Sequence, residues 1–170
     1  MKVKILFVCH GNICRSPMAE FVMKKLVAEQ APGSAFSAED FEIASAATST
    51  EEIGNPVYPP ARRMLAMHGI DCSGKTARQM TVRDYEYYDY IVLMDRNNLR
   101  NLRWILPADV YARETTGPAE KRKVSLLMDW VGKNRDVADP WYTGDFVATW
   151  NDVNEGCKAM LAHIQQVFQA

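Results

Sequence analysis

The chain has 170 residues, of which 48% are hydrophobic and 24% charged, and its net charge at pH 7 is −1. These proportions are typical of a globular protein with one sizeable core, and we expect residues 1–170 to form a single domain. The near-neutral charge supplies no extended basic field, so neither nucleic acid nor a membrane surface is an expected partner. No apolar stretch is long enough to span a bilayer.

The positions of the cysteines bear on the redox compartment, and those of the histidines bear on metal binding. The four cysteines stand at 9, 14, 72 and 157, and the segment after Met1 lacks a signal-peptide pattern. We therefore expect free thiols and a cytoplasmic location. The histidines at 10, 68 and 163 lack metal-ligand spacing, so no structural zinc site is expected.

Strands and helices are predicted to alternate along the chain. The apolar, β-branched run 2–9 predicts a central strand buried on both faces, and Ser16 with Pro17 predicts the capped start of a helix. Further strands are predicted at 41–45, 90–94 and 124–128, further helices at 59–68, 95–103 and 145–168, and irregular loops at 31–40 and 112–123. This order predicts an α/β fold with a parallel sheet, whose ligands bind beyond the carboxyl ends of the strands.

The segment 9–16, with the sequence CHGNICRS, joins the first predicted strand to the first predicted helix. Backbone N–H groups of a short loop that enters a helix converge on an anion, and the helix dipole adds positive potential there. Arg15 adds a planar pair of donors suited to phosphate oxygens. The same field would favour the thiolate form of Cys9, so the loop predicts an anion site and an activated nucleophile together.

A thiolate that attacks a phosphate ester needs a general acid for the leaving group, and Asp139 is the best candidate. Pro140 favours an extended conformation at Asp139, and Trp141 and Tyr142 could flank an aromatic substrate. After the first step the same carboxylate could activate the hydrolytic water.

Each of these residues also has a plainer structural interpretation. A cysteine at a strand end is often a small core residue, and an Asp before Pro is a common turn opener. Asp95 is first of all a predicted helix cap. Trp104, Trp130 and Trp150 are predicted packing residues, and Cys72 and Cys157 are predicted to be ordinary thiols.

At these positions the sequence resembles the low-molecular-weight protein tyrosine phosphatases. The resemblance extends over most of the chain and includes segments 8–20, 45–49, 77–81 and 139–142, together with Met94-Asp95 and Asn98-Leu99. It implies an α/β, flavodoxin-like three-layer sandwich with a central four-stranded parallel sheet. It also implies that phosphotyrosine is hydrolysed through a cysteinyl-phosphate, with Cys9 as nucleophile, Arg15 as phosphate binder and Asp139 as general acid and base.

The resemblance assigns further roles around the loop. Substrate binding is implied for His10, Gly11, Asn12, Ile13, Cys14, Ser16, Trp141 and Tyr142. Asn12 and Ser45 resemble the residues that support the loop, Ser16 the hydroxyl that steadies the thiolate, and Cys14 the redox partner of Cys9. No metal or organic cofactor is implied. The implied partner is a phosphotyrosine-containing protein, and a tyrosine kinase is one candidate.

Two positions depart from the family pattern, and both bear on substrate choice. Glu51 replaces an aromatic residue along the cleft and would repel acidic peptides, while His10 replaces an aliphatic residue and adds a pH-sensitive charge. Four alternatives stay open at this stage: arsenate reduction, capture of phosphate esters without turnover, hydrolysis of small phosphorylated metabolites, and hydrolysis of phosphoarginine. Arsenate reduction would want a paired cysteine relay, and phosphoarginine a smaller residue than Ile13.

Overall fold

The computed structural model describes residues 2–30, 34 and 36–169 and arranges them around one sheet of four parallel strands. The strands are β1 (Val3–Cys9), β2 (Phe41–Ala47), β3 (Tyr90–Leu93) and β4 (Val124–Leu126), and their order in the sheet is β2-β1-β3-β4. The prediction of a central four-stranded parallel sheet is confirmed. Residues 31–33 and 35 of the first predicted loop lie outside the described residues.

Strand β1 organises two separate cores because its side chains alternate between the faces of the sheet. Ile5 and Phe7 point into one apolar cluster and Leu6 and Val8 into the other, and all four are fully buried. A strand that is buried on both faces was the sequence prediction, and it is confirmed.

Helices cover both faces and complete the three layers. They are α1 (Arg15–Ala28), α2 (Pro59–Met67), α3 (Val82–Tyr87), α4 (Arg96–Asn101), α5 (Ala108–Thr116), α6 (Pro140–Thr143) and α7 (Phe146–Gln169). Buried residues of α1, α2 and α7 belong to the cluster that contains Phe7, and residues of α3 and α5 pack on the opposite cluster. None of the described helices is both long and apolar enough to cross a membrane.

Helix α1 starts two residues earlier than predicted, because its N-cap is Cys14 rather than Ser16. The amide of Met18 donates to the carbonyl of Cys14 at 3.2 Å, so Cys14 is the N-cap and Ser16 lies inside the first turn. The side chain of Ser16 therefore turns inward, toward the base of the loop.

The prediction of an irregular segment at 112–123 is wrong for its first half, which belongs to α5. Glu114 is 2% exposed, and its carboxylate accepts the amides of Lys123 and Val124 at 3.3 and 3.0 Å and the hydroxyl of Tyr85. These contacts hold α5 against the start of β4. The partners of Glu114 lie at least nine residues away in sequence, so local hydrophobic periodicity does not reveal them.

Strand β4 is shorter than the predicted strand 124–128. A 3-10 turn, Leu127–Val131, follows it directly, and the carboxylate of Asp129 accepts the amide of Leu126 at 3.0 Å. Leu127 and Met128 are nevertheless fully buried, because the turn carries them into the core beside α7.

Candidate active site

The loop 9–16 lies at the carboxyl edge of the sheet, as predicted for a ligand site. Cys9 ends β1 and pairs with Ala47, the last residue of β2. A cavity of about 130 Å³ opens above the loop, and Cys9, Arg15 and Asp139 all line it. The predicted substrate-binding residues that also line it are His10, Gly11, Ile13, Cys14, Trp141 and Tyr142. Asn12, Ser16 and Ser45 are buried and support the loop through hydrogen bonds.

Asn12 shapes the loop through its backbone. Its φ of 59° lies in the left-handed region, which asparagine tolerates better than most residues with a side chain. The resulting turn directs the amide of Asn12 at the Cys9 Sγ, at 3.3 Å. The side-chain Oδ1 accepts the amide of Arg78 at 3.2 Å, which ties the loop to the neighbouring segment.

A chain of hydrogen bonds lies beneath the loop and includes the hydroxyl of Ser16, which faces Cys9. The Nδ2 of Asn12 donates to Ser16 Oγ at 2.8 Å and to Ser45 Oγ at 2.9 Å. Ser45 in turn donates to Glu20 Oε1 at 2.6 Å, because an ionised carboxylate only accepts. Ser16 Oγ therefore accepts from Asn12, and its single hydrogen lies within reach of Cys9 Sγ at 3.0 Å and, over a longer distance, of the Ala46 carbonyl at 3.4 Å.

Glu20 and Lys75 are members of this network that the sequence analysis missed. Glu20 is 4% exposed and lies 3.3 Å from Lys75 Nζ, which also donates to the Ser45 carbonyl at 2.8 Å. Burial lowers the pKa of Lys75, while Glu20 opposes this shift. The available signal was helical spacing, because Glu20 follows Ser16 by four residues and so shares its face of α1.

Arg15 is the most deeply enclosed charge of the site, at 2% exposure. Its Nη1 donates to Asp95 Oδ2 at 2.7 Å and to the Val137 carbonyl at 2.9 Å, and its Nη2 donates to Asp139 Oδ2 at 3.3 Å. Burial opposes the positive charge, but Cys9, Asp95 and Asp139 outweigh it and raise the pKa of Arg15. The guanidinium is thus charged and held in one orientation at the cavity.

Asp95 combines the predicted helix cap with a second contact. Its Oδ1 accepts the amide of Asn98 at 2.7 Å, which caps α4, and its other oxygen binds Arg15. The cap prediction is confirmed, and one carboxylate links the end of β3 to the loop.

Asp139 lies at the mouth of the cavity and caps the short helix α6. Its backbone is extended, with φ −79° and ψ 112°, as the following proline predicts, and its Oδ1 accepts the amide of Trp141 at 3.1 Å. Its side chain is 27% exposed, so solvent and cavity both reach the carboxylate. Trp141 and Tyr142 are exposed on the adjoining wall.

The two residues that depart from the family pattern contact each other at the rim. His10 Nε2 and Glu51 Oε2 are 2.9 Å apart, and both side chains are exposed to solvent. The ring of His10 also meets Trp104 edge-on, with centroids 6.5 Å apart. Trp104 is 53% exposed, so its prediction as a packing residue is wrong: it ends a 3-10 turn at the surface, beside the cavity rather than in the core.

The other thiols are buried. Burial, followed by the neighbouring Cys9 and Asp139, raises the pKa of Cys14 well above its ordinary value, so Cys14 is a neutral thiol near pH 7. Cys72 and Cys157 lie in the apolar core, as expected for ordinary thiols, and burial raises the pKa of each. Within the part of the chain that the structure describes, no group of three or more His, Cys, Asp or Glu could hold a metal ion.

We predict that Glu20→Gln weakens both stability and turnover. Removal of the carboxylate leaves Lys75 largely buried without its ionic partner, which costs about 3 kcal/mol of unfolding free energy. The amide can also donate to Ser45 and so reverse the hydrogen bond between Ser45 and residue 20. Urea unfolding and kcat on an aryl phosphate measure the two effects.

The control is Glu29→Gln, which removes an exposed carboxylate 3.8 Å from Lys25. Exposed pairs of this kind contribute little to stability. Equal losses in Glu20→Gln and Glu29→Gln would contradict the structural role given to the buried network.

Comparisons with known proteins agree with the site and the fold. A family model described as low molecular weight phosphotyrosine protein phosphatase matches residues 4–170. The low molecular weight protein-tyrosine-phosphatase YfkJ of Bacillus subtilis is 34% identical, over 96% of this chain and 97% of its own. The human low molecular weight phosphotyrosine protein phosphatase is 38% identical, over 92% of each chain.

A solved structure supports the same assignment. The crystal structure of YfkJ from Bacillus subtilis superposes with a TM-score of 0.81 at 33% identity, covering 98% of this chain and 96% of that one. The resemblance found in the sequence motifs is therefore confirmed over nearly the whole chain. The chain belongs to the low molecular weight phosphotyrosine protein phosphatase family.

Proposed function

We propose that this protein hydrolyses phosphotyrosine in proteins through a cysteinyl-phosphate on Cys9. The observation that carries the proposal is the meeting of three groups on one small cavity: a thiol, a buried guanidinium and a partly exposed carboxylate. A nucleophile, an anion binder and a proton donor are the groups that this reaction requires.

Binding of the phosphate dianion uses the loop and the start of α1. The amides of a loop that enters a helix point at an anion, and α1 is 14 residues long, so its dipole contributes. Arg15 is held by Asp95 and the Val137 carbonyl, and it offers its charge without a change of orientation. Such fixed donors stabilise the charge on the phosphoryl oxygens in the transition state.

In the first chemical step the thiolate of Cys9 attacks phosphorus, and the bond from phosphorus to the tyrosyl oxygen breaks. Asp139 gives its proton to the departing phenolate oxygen, so tyrosine leaves as the neutral phenol. The hydroxyl of Ser16, 3.0 Å from Cys9 Sγ, stabilises the anionic sulfur before attack and after its release.

In the second step the carboxylate of Asp139 takes a proton from water, and the water oxygen attacks phosphorus. The bond from sulfur to phosphorus breaks, inorganic phosphate forms, and Cys9 returns to the thiolate. Asp139 serves both steps because it gives up its proton in the first step, and the second step requires the deprotonated carboxylate.

The walls of the cavity favour an aryl ester over an alkyl ester. Cys9 is only 3% exposed at the base, so a substrate must carry its phosphate down to the sulfur. Ile13, Trp141 and Tyr142 line the approach and offer apolar contact to a tyrosyl ring. The side chain of phosphoserine is too short to carry its phosphate down to Cys9, and it has no ring to contact the apolar walls.

The rival functions receive less support. Capture of phosphate esters without turnover requires neither a nucleophile nor an acid, yet both line the cavity. Arsenate reduction would require a further pair of cysteines that relays the oxidation away from the loop, whereas Cys72 and Cys157 are both buried in the apolar core.

The proposed substrate is a phosphotyrosine protein of the cytoplasm, and a tyrosine kinase that carries phosphotyrosine is a candidate. The four free cysteines agree with a reducing compartment. Retention of a phosphoprotein from a cytoplasmic extract by the Cys9→Ser variant tests the substrate, and cell fractionation tests the compartment.

The proposal predicts that wild type cleaves a phosphotyrosine peptide but not the matched phosphoserine peptide, with no metal added. Cys9→Ser should lower kcat by more than about 10⁴-fold, because the hydroxyl lacks the nucleophilicity of the thiolate. Cys72→Ser is the matched control and should retain turnover. Substantial turnover by Cys9→Ser would remove Cys9 from the mechanism.

The role of Asp139 predicts a dependence on the leaving group. Asp139→Asn should slow phosphotyrosine hydrolysis by about 10²-fold to 10⁴-fold, but should slow esters of strongly acidic phenols far less, because those phenolates leave without a proton. Asp136→Asn, three residues earlier in the same loop, is the control. An equal slowing of both ester classes by Asp139→Asn would show that another group is the acid.

The proposed redox role of Cys14 predicts reversible inactivation by peroxide. Peroxide converts the Cys9 thiolate to a sulfenic acid, and the Cys14 sulfur then displaces water to form a disulfide. Wild type should recover in dithiothreitol, whereas Cys14→Ser should pass to irreversible oxidation. Peptide mass spectra that lack the disulfide after inactivation, or full recovery of Cys14→Ser, would rule this role out.

A further inference from the structure

A second groove continues from the catalytic cavity. It encloses about 520 Å³, and it shares Ile13, Glu52 and Trp141 with the cavity above Cys9. A ligand whose phosphate lies over the loop can therefore extend into the groove without leaving the protein surface.

The shared wall is held to the catalytic loop by direct contacts. The amide of Tyr58 donates to the Ile13 carbonyl at 2.9 Å, and the ring of Tyr58 packs on Trp141 with centroids 4.8 Å apart. Pro56 and Pro59 flank this stretch of the groove and restrict its backbone. The groove is thus positioned relative to Cys9 before any substrate binds.

Charge is distributed unevenly along this path. Glu51 lines the catalytic cavity and Glu52 lies where the cavity meets the groove, whereas Arg62 and Arg63 on α2 line the groove alone and are exposed. Neither arginine takes part in the ion pairs found among the described residues. Among the described residues, the side-chain hydrogen bond of Arg62 is a long one, at 3.5 Å to Ser73 Oγ.

We propose that this groove binds the substrate segment that flanks the phosphotyrosine, and that Arg62 and Arg63 select an acidic side chain in that segment. The inference rests on the proposed function, because it requires a phosphotyrosine above Cys9. An acidic residue next to the phosphotyrosine meets Glu51 and Glu52 and is disfavoured. An acidic residue farther along the extended chain reaches the arginines and is preferred.

The test is a panel of peptides with one phosphotyrosine and neutral flanking residues, in which a single glutamate is moved through each position on either side. The value of kcat/KM for each peptide, divided by that for the neutral peptide, gives a positional preference. Wild type should prefer glutamate on one side only, at a distance from the phosphotyrosine, by about threefold to tenfold, and added salt should reduce the preference.

The variants are Arg63→Glu and the double change Arg62→Glu/Arg63→Glu, with Arg63→Gln as a milder alternative and thermal unfolding as the check on folding. In the double variant, a glutamate at the peptide position that wild type prefers should lower kcat/KM relative to the neutral peptide. A lysine at that position should raise it. Lys121→Glu reverses an exposed charge just before β4, at the opposite end of the sheet, and should keep the wild-type preference.

The outcomes separate this inference from the proposed function. Hydrolysis of the neutral peptide with no preferred glutamate position, or a preference that survives the double reversal, would overturn the role of the groove and leave the phosphatase assignment intact. Failure of wild type to cleave even the neutral phosphotyrosine peptide would overturn both.

Discussion

The buried guanidinium of Arg15 is the interaction on which the site depends. A charge at 2% exposure is tolerated only when hydrogen-bonded partners compensate it. Asp95 at the end of β3, together with the Val137 carbonyl and Asp139 before α6, supplies those partners. Two segments distant in sequence from the loop thus converge on one side chain at the carboxyl edge of a parallel sheet, and this convergence places the proposed acid beside the proposed nucleophile.

The surroundings of the Cys9 thiol depend on a second buried charge, the carboxylate of Glu20. Glu20 accepts the hydroxyl of Ser45, and Asn12 donates to both Ser45 and Ser16, which lies 3.0 Å from Cys9 Sγ. Arg15 and Glu20 both belong to the first two turns of α1, whereas their charged partners Asp95, Asp139 and Lys75 come from other parts of the chain. This arrangement supports the left-handed conformation of Asn12, whose amide points at Cys9 Sγ.

Local patterns predicted the strands, the loop 9–16 and the cap at Asp95, because each depends on neighbouring residues. The early end of β4 is set locally, by the carboxylate of Asp129 that accepts the amide of Leu126, but the other failures involve contacts outside the local pattern. Helix α5 depends on a buried Glu114 that binds the start of β4, and Trp104 lies beside His10 at the surface rather than in the core. Glu20 carried a helical-spacing signal, but its partner Lys75 could be found only in three dimensions.

The central claim is that phosphate passes through a covalent bond to Cys9, and the most direct measurement is to trap that bond. Turnover of a phosphotyrosine peptide is quenched in denaturant at successive times, and the digested protein is mapped by mass spectrometry. The account predicts one phosphoryl group on the peptide that contains Cys9, absent when Cys9 is replaced by serine. A phosphoryl group on His10 instead, or steady turnover with no phosphoenzyme at any time, would contradict it.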